Sequence, residues 1–198
     1  MAKRVFFCFH YEDVESFRAN VVRNHWVTKE DSEDAGFFDA SLWEETKNRG
    51  GPAALKRLIN GGLENTSVTC VLVGSETYSR TWVRYEILKS MKRGNRLFGV
   101  HINGIKDRYE QTKDLGPNPF GYLGIQYSAD GQSLTMYEAV NGQWAEYAEV
   151  DGSSTYTLKN TAANERRGKF LKLKDDYPVY LWNKNNGYEN FSNWVDGK

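Results

Sequence analysis

A chain of 198 residues in which 26 Lys and Arg balance 26 Asp and Glu is sized for one domain, or one domain with an extension. Its zero net charge excludes the basic footprint with which proteins hold phosphate backbones or anionic membranes, so neither nucleic acid nor membrane is an expected partner. The two cysteines, Cys8 and Cys70, sit in apolar runs where a thiol behaves as a small core hydrophobe, and no signal-peptide run or stretch of roughly 20 apolar residues occurs; the expected setting is reducing and cytoplasmic.

From the N-terminus, Val5-Phe6-Phe7-Cys8-Phe9, Val68 to Val73 and Leu97-Phe98-Gly99-Val100-His101-Ile102 are apolar with little alternation, as strands covered on both faces of a parallel sheet are. Helical patterns lie between them. Val14, Phe17 and Val21 share a face, then Leu55, Leu58 and Ile59 between Pro52 and Gly61-Gly62, then Val83, Ile87 and Met91,. Phe37-Phe38, just after Gly36, is expected as a short strand. This alternation predicts an α/β fold: a doubly wound, mainly parallel central sheet, flavodoxin-like in outline, with helices on both faces.

Residues 103–119 are polar and contain Gly116-Pro117-Asn118-Pro119, so the next crossover is predicted to be a loop. Residues 122–127 are expected to add an edge strand. Two short runs then flank Asn141-Gly142, the favoured pair for a tight hairpin turn,. A polar loop with one short helix, a strand over 177–182 and a final amphipathic helix carrying Tyr188, Phe191 and Val195 complete the chain. We therefore divide it into an α/β domain over 1–130 and an extension over 131–198 packed on the same domain.

The strand–loop–helix over residues 67–90 carries Trp82-x-x-x-Glu86. With Val83 at zero on a helix turning about 100° per residue, Ile87 falls at about 40° and Met91 at about 80°, while Glu86 lies at about −60° and Trp82 at about −100°. Glu86 thus sits on the flank of the buried stripe, at the carboxyl end of a strand, the edge where open α/β sheets bind ligands. Spacing alone fits a solvated boundary glutamate near a helix N-terminus better than a catalytic one.

SVTCVLVG followed by WVRYEILKS, and RVFFCFHYEDV with His10-Tyr11 and Asp13, resemble the corresponding boxes of Toll/interleukin-1 receptor (TIR) and bacterial TIR-like domains. GPNPFGYLG, RNHWV and FFDASLWEE extend the likeness to the small TIR protein of the Thoeris antiphage system. The resemblance implies a TIR-like fold and an enzyme that cleaves NAD at the nicotinamide–ribose bond and cyclises the ADP-ribose. That signal would activate a separate NAD-degrading effector. NAD is then the substrate, with no further cofactor and no metal; no metal-ligand spacing occurs among the His and Cys. A phage-derived trigger and a homo-oligomer are further expectations.

The family's catalytic glutamate falls on Glu86. One carboxylate suffices to stabilise an oxocarbenium-like ribose, because nicotinamide leaves neutral and needs no proton. Phe9, Tyr11, Trp43, Trp82 and Tyr85 are candidates to line a dry pocket, each with core packing or a solvated face as its alternative. Asp39 is a candidate for a ribose hydroxyl or an ordinary turn residue, and His10 for a phosphate or amide or a bond to its own turn. Arg84 is a pyrophosphate contact or a surface salt bridge. Two patterns are absent: a glycine-rich phosphate loop, and the Arg-Asp-x-x-Pro-Gly loop of animal adaptor TIR domains. A non-enzymatic TIR-like interaction module is the competing reading.

Overall fold

The computed structural model describes residues 3–10, 17–30, 32–36, 40–147 and 152–198. Its central sheet is built from β1 (Lys3–Cys8), β2 (Ser32–Ala35), β3 (Val68–Val73), β4 (Arg96–His101) and β10 (Val179–Leu181), all parallel, in the order β10-β4-β3-β1-β2. The four helices among the described residues are α1 (Arg18–Val27), α2 (Ala40–Leu63), α3 (Thr81–Arg93) and α4 (Gly187–Asp196).

Every residue of β3 is buried, because its two faces feed two cores. Val5, Phe7, Cys70, Leu72, Phe98 and Val100 pack with Ala19, Val22 and Trp26 of α1 and Phe191, Trp194 and Val195 of α4. Phe6, Cys8, Val71 and Val73 pack with Ile59 and Leu63 of α2 and Val83, Ile87 and Leu88 of α3. Helices cover both faces, as the unalternating apolar runs predict.

A second, antiparallel sheet runs β7 (Gln143–Glu146), β6 (Ser133–Val140), β5 (Leu123–Tyr127), β9 (Phe170–Lys172), with β8 (Thr155–Thr157) also paired to β6. Leu123, Ile125, Leu134 and Met136 of this sheet belong to the same core as α3. The β6–β7 hairpin turns at Asn141 (φ 50°) and Gly142 (φ 80°), the paired left-handed conformations that an Asn-Gly turn supplies. Arg84 of α3 donates to Glu138 of β6 at 2.5 Å and to the Tyr78 carbonyl at 3.1 Å. The salt bridge is thus present, but partly buried where a surface pair was expected.

Three local expectations are corrected, and one strand that the sequence did not reveal is found. Residues 122–127 do not edge the parallel sheet: β5 is an inner strand of the antiparallel one, and β10 takes the place beside β4. The strand before α2 is the polar Ser32–Ala35, an edge strand whose composition hides it; Phe37-Phe38 lies outside the described residues. Helix α1 starts at Arg18, with Phe17 preceding it at φ 62° and exposed, so its buried face is Ala19, Val22 and Trp26; Val14 lies outside the described residues. Buried Arg18 donates to the carbonyls of Ile105 and Gln111, each at 2.8 Å, and pairs with Asp107, bonds that override the apolar register. In α4 Tyr188 is exposed, and Trp194 replaces it on the buried face.

Candidate functional site

The strand order reverses direction at β1, which has β2 on one side and β3 on the other, and the crevice at the carboxyl ends of such strands is the usual ligand position. A cavity of about 270 Å³ lies there, lined by Phe9 and His10 after β1, Gly36 after β2, Trp43 of α2, and Arg80, Thr81, Trp82, Val83 and Glu86 at the start of α3. Local sequence explains its floor. Gly36 has φ +76°, and a Cβ there would lie 2.5 Å from the Phe6 ring, so chain and ring meet closely only because that position is glycine. Helix α3 carries no side-chain N-cap; its first-turn amides have no intrahelical acceptor and carry the positive end of the helix dipole.

The far end of α3 is firmly stopped. Gly94 adopts φ 80° and donates to Met91, Asn95 donates to Ser90, and Lys92 and Arg93 stand in the last turn, an arrangement that satisfies the trailing carbonyls and complements the dipole. Thr69 of β3 donates to the Ser90 hydroxyl at 2.9 Å. With Val83 and Ile87 buried against the sheet, the rotation of α3 is fixed, and Glu86 is turned onto the cavity.

Glu86 is 5% exposed. Burial raises its carboxyl to about 8, and a hydrogen bond from the Cys8 thiol works in the opposite direction. A carboxylate in this position is expensive to ionise and correspondingly responsive to a cation brought against it. The walls are aromatic: Trp43 and Trp82 meet edge to face at 6.2 Å.

The structure thus brings together Glu86, Trp82, Trp43, Phe9 and His10. Tyr85 is not among the lining residues; it is 1% exposed, donates to Asn60 of α2 at 3.2 Å and carries Lys56 over its ring. Tyr11 and Asp39 lie outside the described residues. Sequence reasoning passed over Gly36, Arg80, Thr81 and Val83. Arg80, which directly precedes α3, was identifiable from its place between strand end and helix start.

A second cavity, of about 330 Å³, opens at the carboxyl ends of β4 and β10 and is lined by His101, Lys113, Trp182 and Lys184 among others. Most of its wall is exposed loop, and it holds no buried carboxylate. Among the described residues, no helix is long and apolar enough to cross a membrane.

The family model for the TIR-like domain of the Thoeris protein ThsB matches residues 6–107, a span that runs from within β1 past the end of β4 and contains every lining residue of the first cavity. A protein of Bacillus cereus (strain MSX-D12) that bears the name "Putative cyclic ADP-D-ribose synthase ThsB1" is 57% identical over 196 residues, covering 99% of this chain and all of that relative. The sheet, the Trp82–Glu86 helix and these two matches agree, and the chain belongs to the ThsB family of Thoeris TIR-like proteins.

Proposed function

We propose that the cavity binds the nicotinamide–ribose end of NAD, that Glu86 promotes cleavage of the bond between them, and that the ADP-ribose closes into a cyclic ADP-ribose isomer. The observation that carries this reading is Glu86 itself, a buried carboxylate on an aromatic-walled cavity at the sheet's switch point. The name of the Bacillus cereus relative supports the same product class. At about 270 Å³ the cavity is smaller than the roughly 300–1,000 Å³ of sites enclosing a drug-sized ligand, and so suits one end of a dinucleotide.

In NAD the ring nitrogen is cationic. When the C–N bond breaks, its electron pair returns to the ring, nicotinamide departs neutral, and positive charge passes to the ribose. Ionised Glu86 stabilises that charge in a site poor in water. Trp43, Trp82 and Phe9 give the planar ring apolar surfaces and exclude competing water. A hydroxyl of the substrate's other ribose, held close, then bonds to the anomeric carbon and gives up its proton. Glu86, titrating at about 8, is matched to accept it near neutral pH. Arg80 and Thr81, where α3 begins, line the cavity, and this helix start is the place we assign to the pyrophosphate. The cyclic product would act as a diffusible signal to a separate NAD-degrading effector, with synthesis awaiting a phage-derived trigger and, as a further element of the proposal, self-association.

Incubation with NAD, alone and with lysate of phage-infected cells, separates the outcomes when nicotinamide, ADP-ribose and cyclic products are followed by chromatography and mass spectrometry. Nicotinamide release with a cyclic product, lost on Glu86→Gln, is expected. Turnover indifferent to that substitution would remove Glu86 from the chemistry. Inactivity under every condition would favour a non-enzymatic interaction module.

A further inference from the structure

The loops that follow β4 and β10 are tied together at the carboxyl edge of the sheet. Asn183, after β10, donates to the Gly104 carbonyl after β4, and the Trp182 amide donates to the His101 carbonyl at 3.2 Å. Buried Asn103 holds the outer wall: its carbonyl accepts from the Lys113 amide at 2.9 Å, and its side chain donates to the Asp114 carbonyl at 2.7 Å. The cavity of about 330 Å³ between these loops lies within the roughly 300–1,000 Å³ of sites that enclose a whole small ligand. Its polar side chains are largely unspent. Nδ1 of His101 and Nε1 of Trp182, a residue 1% exposed, are buried without a hydrogen-bond partner, a costly state for groups withdrawn from water. Among the described residues, Lys113 on one loop and Lys184 on the other form no ion pair.

We propose that this second cavity binds a phosphorylated sugar, a phosphomonoester that also carries free hydroxyls. It shares no lining residue with the cavity at Glu86. Charge selects an anion, because two lysines set against Asp114 leave the lining positive. Geometry selects a phosphate. The two ammonium groups come from different loops, and tetrahedral phosphate oxygens meet donors arriving from several directions, where a carboxylate presents two oxygens in one plane. Asp114 repels a bare anion but accepts from a hydroxyl, which is the reason for a sugar beside the phosphate. Burial lowers His101, so near neutral pH its ring is uncharged and offers one donor and one acceptor, a match for a hydroxyl that does both. Leu115, Leu181 and the Trp182 ring supply apolar surface for the carbon skeleton. A ligand held by both loops clamps β10 to β4.

Ribose-5-phosphate, inorganic phosphate and ribose are each titrated into the full chain by isothermal calorimetry, with nitrogen-edited NMR following the assigned indole N–H of Trp182. Ribose-5-phosphate is expected to saturate one site with a Kd below about 1 mM, inorganic phosphate to bind at least roughly fivefold more weakly, and ribose to give no signal. The Trp182 indole resonance moves in step with saturation. Lys113→Ala and Lys184→Ala, at exposed positions where the fold tolerates truncation, each weaken the sugar phosphate roughly fivefold or more. Asp114→Asn weakens the sugar phosphate and leaves inorganic phosphate equal or tighter. Trp82→Ala, in the other cavity, leaves the affinity for ribose-5-phosphate unchanged. No saturable binding up to about 10 mM, an affinity indifferent to both lysine substitutions, equal affinities for the two phosphates, or a Trp182 signal that stays still at saturation would each overturn the inference. Loss of binding in Trp82→Ala would do so too, by moving the ligand to the cavity at Glu86. None of these measurements requires turnover of NAD, so failure of this site and failure of catalysis at Glu86 are told apart.

Discussion

Because burial raises the Glu86 carboxyl to about 8, the unliganded protein at neutral pH carries it largely protonated. If the ionised form performs the chemistry, kcat/KM rises with pH to a plateau above about 8, since that ratio reports the free enzyme. The limb for kcat should fall at lower pH, because the cationic nicotinamide of bound NAD favours the charged carboxylate; coincident limbs would remove that interaction. Stability moves the other way. Between the ordinary value of 4.5 and about 8 the folded state keeps a proton that the unfolded chain has lost, so stability declines as pH climbs through this window and levels off above it. Glu86→Gln, neutral at every pH, is therefore expected to melt like wild type at pH 4 and to exceed it at pH 9 by an amount on the order of a few kcal/mol. Thermal melts at the two pH values test this. A protein stabilised by losing its carboxylate would show a site maintained at the expense of the fold.

At the scale of elements, α3 is held by four surfaces: the sheet, α2, the Gly94 stop and the antiparallel sheet. The Arg84–Glu138 contact is the polar part of the last. Arg84→Ala leaves Glu138 partly buried without that partner and removes a bond to the Tyr78 carbonyl, so a loss of about 1–3 kcal/mol is expected in denaturant unfolding. Glu138→Gln, which keeps an acceptor, is expected to cost less. Strands β1, β3 and β4 and helix α3 were legible in the sequence because each obeys a local rule, an unalternating apolar run or a 3.6-residue stripe. Ser32–Ala35 was not, since an edge strand needs apolar side chains on few of its positions. Nor was the start of α1, where Arg18 is buried by backbone carbonyls supplied from residues 105 and 111. The site divides similarly: Glu86 and Trp82 were readable from family likeness, since helical angle alone favoured a solvated glutamate where the structure buries one, whereas the convergence of Gly36 and Arg80 on the cavity beside Glu86 depends on strand order.

For the whole molecule, the residues of β10 and α4 are integral to the central core. Val179 seats against Gly99 of β4, the Tyr180 ring stacks on Trp194 at 4.3 Å, Trp182 is 1% exposed, and Phe191 touches Phe7, Trp26 and Phe98. Asp196 reaches back to Lys3 at the start of β1. Phe191→Ala is expected to cost about 3–5 kcal/mol, and removal of residues 178–198 to leave a chain without cooperative unfolding in calorimetry. A truncated chain that still melts cooperatively would show the core of β1 to β4 to be self-sufficient.

The pairing of β10 with β4 also sets a timetable for synthesis. At about 5–20 residues per second the ribosome takes roughly 4–16 s to make the stretch that separates them. Until then the edge of Arg96–His101 that faces away from β3 has no strand beside it, and this is the kind of open edge on which nascent chains pair with one another. Early hands-off time on the ribosome, or a chaperone resting on that edge, should thus govern yield, and slowing translation between residues 102 and 178 should lower the soluble fraction more than an equal pause before β4 is made.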